Sequence, residues 1–312
     1  MEFKGYSPDF LIADGFRRKA PLPKLSAEQK KDLALSTEDQ SELLHYGHFS
    51  VALSASRRFP YFTASNIDGR LFQKAERAAS WKKDPRVKDF QWGTELYSAA
   101  KSDFDKGHMT RREDVQWGDT PDDAQVAADS TFYYTNAVPQ HKDLNQKLWK
   151  SLEDYVLHSE TRPKSLKICV FTGPMLSERD PFFVTDIKGQ TVQLPVIFWK
   201  VILYPKSDGK LYRVGFIMSQ RELLLGNAIA MASREVLEAD PLFMGYDKAE
   251  TYQVTVPFIE TITGIKMPRA TDTYEDERAT DLILNEVEVP DSAPRGMNGK
   301  PFRPYQILNI KL

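Results

Sequence analysis

At 312 residues, with 41% hydrophobic and 12% aromatic side chains, the chain can bury one large core or two ordinary ones, as a folded globular protein does. A net charge of −2 provides no global basic surplus for holding nucleic acid, so any polyanion has to meet one face only. No apolar run reaches membrane-spanning length, and the single cysteine, Cys169, excludes an internal disulfide. The opening "MEFKGYSPDFLIADGFRRK" lacks the basic-then-apolar order of a signal peptide, so a reducing cytoplasm is the expected address.

In chain order, the first 44 residues read as an arm: "APLPKL" is extended and proline-bounded, and "SAEQKKDLAL" is a short helix capped by Ser26. "HFSVALSASRRFPYFTASNID" reads as two strands around the break Arg57-Arg58-Phe59-Pro60. Residues 72–83 lead to "WKKDP", where Asp84-Pro85 marks a stop. The aromatic, β-branched run "STFYYTNAVPQ" predicts a strand over Thr131–Thr135 that ends by Pro139. "DLNQKLWKSLEDYVLH" places Leu148, Trp149, Leu152, Tyr155 and Val156 at helical spacing behind Asp143 as cap. "SLKICVFTG", "LPVIFWKVILYP" and "KLYRVGFIMS" are strands, the last two joined by an Asp208-Gly209 hairpin turn. "RELLLGNAIAMASREVLEA" predicts a helix, and "TYQVTVPFIETITG" a strand followed by a helix. Cys169, Phe198 and Trp199 are expected in the core.

Chemistry concentrates around "DFDKGHMTRRED". His108 follows a Lys106-Gly107 turn and precedes Arg111-Arg112, which puts a base beside paired cations. Downstream, Asn145 and Glu153 are eight positions apart, about 12 Å of helical rise, on the ridge of Trp149. A strand–loop–strand–helix unit brings a base, an amide oxygen and a carboxylate to one cleft, a set that suits a hard divalent cation. Taken singly, each has a plainer reading. His108 alone is a turn residue, Asn145 satisfies helix amides and Glu153 is a solvated helix side chain. Arg57, Arg58 and Arg70 compete with Arg77 for any phosphate.

"DKGHM", "FYYTNAVPQHKDLNQKLWKSLE", "VFTGP" and "LPVIFWKVI" together resemble the DNA/RNA non-specific endonuclease family, the ββα-metal or His-Me finger group, from about residue 45 to 260. The resemblance implies an α+β fold with a central, mostly antiparallel sheet flanked by helices. It divides the chain into an arm (1–44), a nuclease domain (45–265) and a C-terminal extension (266–312) packed on or near it. It implies His108 as general base, Asn145 as the direct ligand of Mg2+ (with Mn2+ able to replace it), and Glu153 as the acid that orients metal-bound water. Arg77 and Lys106 match phosphate-gripping positions, Arg111 and Arg112 can contact substrate, and Asn136 and Gln140 shape the site. DNA or RNA is bound through its phosphate backbone and cut to 5′-phosphate products. Family members are often homodimers. Two features depart from the pattern: lysine replaces arginine in Asp-Arg-Gly-His, and no proline follows the histidine closely.

Two alternatives remain beside the endonuclease: a nucleic-acid-binding or scaffold protein of the same fold without turnover, and a phosphodiesterase acting on small nucleotides. A nuclease inside the cell also needs restraint, by the arm, by the acidic stretch 272–291 or by an inhibitory or activating protein partner.

Overall fold

The computed structural model describes residues 3–12, 17–77, 79–142, 152–231, 251–276, 278–282, 284–286, 305–307 and 309–312. The strands in chain order are β1 (Leu44–His45), β2 (Phe49–Leu53), β3 (Pro60–Asp68), β4 (Phe104–His108), β5 (Ala137–His141), β6 (Lys167–Pro174) and β7 (Phe182–Phe183). They continue as β8 (Ile197–Pro205), β9 (Leu211–Ser219), β10 (Ala230–Met231), β11 (Thr251–Val254), β12 (Thr271–Asp272) and β13 (Thr280–Asp281).

The main sheet runs β1-β2-β3-β6-β8-β9-β11-β13, antiparallel throughout, with β12 pairing parallel to β9. Its central strands are buried along most of their length and largely apolar, with few polar side chains, as strands covered on both sides tend to be. Phe171, Phe198, Trp199 and Phe216 are fully buried. Cys169 is a free, buried thiol, and burial pushes it up to about 12. The β8–β9 hairpin turns at Asp208-Gly209 as expected, with Gly209 at φ +74. The arm joins the same core: Tyr6, Leu11 and Ala20 are buried, and the Tyr6 hydroxyl donates to the Ala20 carbonyl at 2.6 Å. Ser26 and Gln29 form a reciprocal cap on the helix Ala27–Lys31.

A separate ribbon, β4 with β5, carries the residues of interest, with His108 opposite Ala137 and Lys106 opposite Pro139. The strand expected over Thr131–Thr135 lies further along the chain. Tyr134–Asn136 form a tight 3-10 turn, and Pro139 stands inside β5 instead of ending the strand. A proline is tolerated there because its nitrogen faces away from β4. Its carbonyl accepts from Gln220 Nε2 at 3.1 Å, and Gln220 Oε1 accepts from the His141 N–H at 2.8 Å. The same amide donates to the Pro195 carbonyl at 2.6 Å, so one buried glutamine staples the ribbon to the end of the main sheet.

The helix expected from Arg221 stops at Gly226, because Ala228 turns to φ +51 and the chain re-enters an extended form at β10. Residues 232–250 lie outside the described residues. The strand and helix of "TYQVTVPFIETITG" are present as β11 and Val256–Thr263.

Candidate active site

His108 ends β4 and shares its face with Lys106, two positions away. Two backbone bonds bring Trp81 beside it: the Lys82 N–H donates to the Phe132 carbonyl at 2.9 Å, and the Tyr134 N–H to the Lys82 carbonyl at 3.0 Å. The imidazole then packs 4.5 Å from the Trp81 ring and edge-to-face against Phe132 at 5.1 Å. Its Nε2 is buried and makes no hydrogen bond with a described residue. Burial, with the positive charges of Arg77, Arg112 and Arg111 adding to it, pushes His108 down to about 3. The imidazole is therefore neutral at physiological pH, the form a general base requires.

Asn136 fixes the chain that leaves the histidine. Its Oδ1 accepts from the Thr110 N–H at 2.8 Å, and its Nδ2 donates to the carbonyls of Thr110 at 2.9 Å and Thr131 at 3.0 Å. Gln140 is fully buried with its amide against Gly107, where a Cβ would fall 2.1 Å from Oε1. The glycine of the Lys-Gly-His turn is thus demanded by close approach.

The basic residues divide into two groups. Arg77 is exposed and lies 5.7 Å over the Phe132 ring, while Lys106 is half-buried with Nζ 5.5 Å from the Tyr97 ring. Arg111 and Arg112 are engaged inside the protein. Arg111 Nη2 donates to Glu113 Oε2 and Asp154 Oδ1, each at 2.5 Å, and its Nε stands 4.0 Å from Glu153. Arg112 donates to Gln116 Oε1 at 2.8 Å and the Ala75 carbonyl at 2.6 Å. The other basic pairs are similarly occupied: Arg57 bonds Asp180 at 2.6 Å and Lys83 bonds Glu95 at 2.8 Å.

Glu153 lies on the helical segment from Leu152, which widens to i,i+5 bonding over Tyr155–Thr161. One of its oxygens accepts from Lys200 Nζ at 3.0 Å. Burial raises the Asp114 carboxyl above the ordinary range, and Glu153 adds to that rise. Glu113 is held down at about 2 by His158 and Arg111, which overcome its burial. Glu113, Asp154 and His158 offer ligand atoms within 4.8 Å of one another, with the Arg111 guanidinium bonded to both carboxylates. Two carboxylates and an imidazole are donors that a divalent cation can use, but here the Arg111 guanidinium occupies both carboxylates. Asn145, the expected direct ligand, lies outside the described residues, as does Trp149.

Trp81, Lys200 and Asp154 carry much of this geometry and were not singled out from sequence. Lys200 had a usable signal, a lone charge inside the apolar run "IFWKVIL". Of the acidic stretch 272–291, Asp272 bonds Arg213 of β9 at 2.7 Å, and residues 277, 283 and 287–291 lie outside the described residues.

A histidine on a strand ribbon beside a main antiparallel sheet, with a carboxylate-bearing helix following it, defines a ββα-metal nuclease architecture. The model of the family described as DNA/RNA non-specific endonuclease matches residues 31–273, and the chain belongs to that family. Protein y4fB of Sinorhizobium fredii is 36% identical over 234 residues, 71% of this chain and 33% of that protein. Bovine mitochondrial endonuclease G is 28% identical over 123 residues, 38% of each chain. Zebrafish (Danio rerio) mitochondrial nuclease EXOG is 26% identical over 230 residues, 73% of this chain and 61% of that one. The alignments thus span about a third of the length of the first two relatives. A crystal structure of the EndoG/EndoGI complex shares the fold, with a TM-score of 0.50 and 19% identity over 72% of this chain and 84% of the other. No helix among the described residues is long and apolar enough to cross a membrane.

Proposed function

We propose that this protein is a divalent-cation-dependent endonuclease that hydrolyses phosphodiester bonds of DNA or RNA with little sequence preference. The observation that carries the reading is the neutral, half-buried His108, its Nε2 enclosed and its ring packed by Trp81 and Phe132 within the field of three arginines. His108 takes a proton from water as the water oxygen bonds to phosphorus; the P–O3′ bond breaks, leaving a 5′-phosphate and a 3′-hydroxyl. Asn145 would hold Mg2+ directly, and the Glu153 carboxylate would orient its waters. When bound, the cation supplies charge stabilisation to the transition state and the leaving oxygen.

Arg77 and Lys106 contact the substrate phosphates directly. Arg111 and Arg112, engaged by carboxylates and amides, supply a positive field around the base. Asn136 and Gln140 fix the backbone on either side of His108. The domain carrying this chemistry spans 45–265. Contacts to phosphate with no base-reading element account for sequence tolerance. The lone buried thiol suits a reducing compartment. Restraint by an inhibitory protein, or pairing as a homodimer, belongs to the same reading; EndoG, in the matching structure, is bound by EndoGI.

The test is digestion of supercoiled plasmid and single-stranded RNA with Mg2+ or chelator, by wild type, His108→Ala and Asn145→Ala. Metal-dependent cutting that falls by about 10²–10⁴ in His108→Ala supports the reading. Binding of the same substrates without cutting at any metal concentration would favour the scaffold alternative.

A further inference from the structure

We infer that Lys200 is a positioning residue for the reaction, acting through Glu153, which it grips from the centre of the main sheet. The inference rests on the role given to Glu153 above.

Lys200 sits in the middle of β8, between Thr172 of β6 and Phe216 of β9. Its side chain is 3% exposed, with Ile, Phe and Trp before it and Val, Ile and Leu after it in the strand. An ammonium in that position loses its hydration and its rotamer freedom, so a core that needed only packing would hold an aliphatic residue there. Its hydrogen bond to Glu153 Oε1 at 3.0 Å runs from sheet to helix, between residues 47 positions apart in the chain. The other carboxylate oxygen faces Arg111 Nε at 4.0 Å. Lys200 thus makes the short contact to Glu153, while Arg111 adds only its charge at longer range on the other oxygen.

From Arg111 the network continues to Asp154 and Glu113, then to His158 at 3.2 Å and on to Arg162 at 2.9 Å. Lys200 is the end of this chain of charges that is anchored in the rigid sheet. A carboxylate that orients water around a cation acts through its angle, and a buried hydrogen bond from the sheet biases that angle before substrate arrives. The charge of the lysine also opposes the rise that burial and Glu153 impose on the Asp114 carboxyl.

The test is a double-mutant cycle on the full chain: wild type, Lys200→Met, Glu153→Gln and the double variant, with Lys200→Arg as the charge-preserving control. Readouts are kcat, KM for plasmid, the Mg2+ concentration giving half-maximal rate, and Tm. Lys200→Met is expected to lower kcat, or raise the half-saturating Mg2+, by about 10- to 100-fold with KM for plasmid unchanged. Lys200→Arg recovers part of that loss. In the Glu153→Gln background, Lys200→Met adds nothing further. Full activity in Lys200→Met, or losses that multiply in the double variant, would overturn the inference. If Lys200→Met does not fold, Lys200→Arg in both backgrounds decides it: a kcat or Mg2+ defect that vanishes in Glu153→Gln supports the inference, and wild-type values in Lys200→Arg overturn it. An impaired Glu153→Gln beside an intact Lys200→Met strikes the lysine alone. A fully active Glu153→Gln strikes the reading of Glu153 itself, and the inference with it.

Discussion

The rings of Trp81 and His108 lie 4.5 Å apart, their planes inclined at 48°. This packing, with Phe132 on the edge, encloses the imidazole Nε2, and burial with the nearby arginines pushes His108 down to about 3 from the ordinary 6.5. Between those two values the unfolded chain binds a proton that the folded protein refuses. Stability from this group is fully present above 6.5 and is lost as pH falls towards 3. For activity, kcat/KM should show no acid limb from His108 between about pH 7 and pH 5. Trp81→Ala admits water to the ring, so an acid limb should appear near the ordinary histidine value. A wild-type limb centred at the ordinary value would contradict the buried-base geometry.

Arg77 and Lys106 should behave differently from Arg111. Alanine at either of the first two is expected to weaken nucleic-acid binding uniformly across sequences, reducing the salt slope by about one. Lys106→Arg restores a two-donor fork and should tighten binding. Arg111, with a side chain 13% exposed and bonded to two carboxylates, should instead act on folding. Its alanine variant is expected to lose about 3–5 kcal/mol in urea denaturation, because buried acids are left uncompensated. A loss of binding with unchanged stability in Arg111→Ala would move that residue to the substrate.

Gly107→Ala should push the new methyl into Gln140, with Cδ at 2.3 Å and Cγ at 2.5 Å from it. Overpacking of this kind costs about 1–3 kcal/mol and would tilt the strand end that holds His108. Gly107→Ala with Gln140→Ala should recover part of both stability and turnover. Failure of the pair to recover anything would mean that Gly107 is required for another reason.

Asn136→Ala removes a side chain that makes three hydrogen bonds to backbone around the histidine turn. We expect a loss of about 1–3 kcal/mol together with lower kcat, and little change in KM. A selective rise in KM would point to substrate contact.

The sheet was legible from sequence because its strands are long, apolar and bounded by turn residues, as β8, Asp208-Gly209 and β9 illustrate. The histidine and its glycine were legible from motif order. What misled was "STFYYTNAVPQ": its aromatic residues suit a strand, but Phe132 and Tyr134 are used as a wall around Trp81 and His108, and the strand begins only at Ala137. The double Arg111-Arg112 reads as free charge because two of its acceptors, Ala75 and Asp154, are distant in the chain, and the nearer two, Glu113 and Gln116, meet it only through the turn that follows. Trp81 was passed over for the same reason, since its neighbours meet it only in the fold.

Pro139 and Gln220 have a consequence for how the protein behaves in a crowded solution. A two-stranded ribbon standing apart from its parent sheet presents an outer rim on which another molecule's extended segment can template. On the β5 rim, Pro139 has no hydrogen to offer, while its own carbonyl and the His141 amide are already taken by Gln220. An incoming segment finds no continuous ladder to copy. The ribbon can therefore carry its histidine without its β5 rim becoming a seed for self-association.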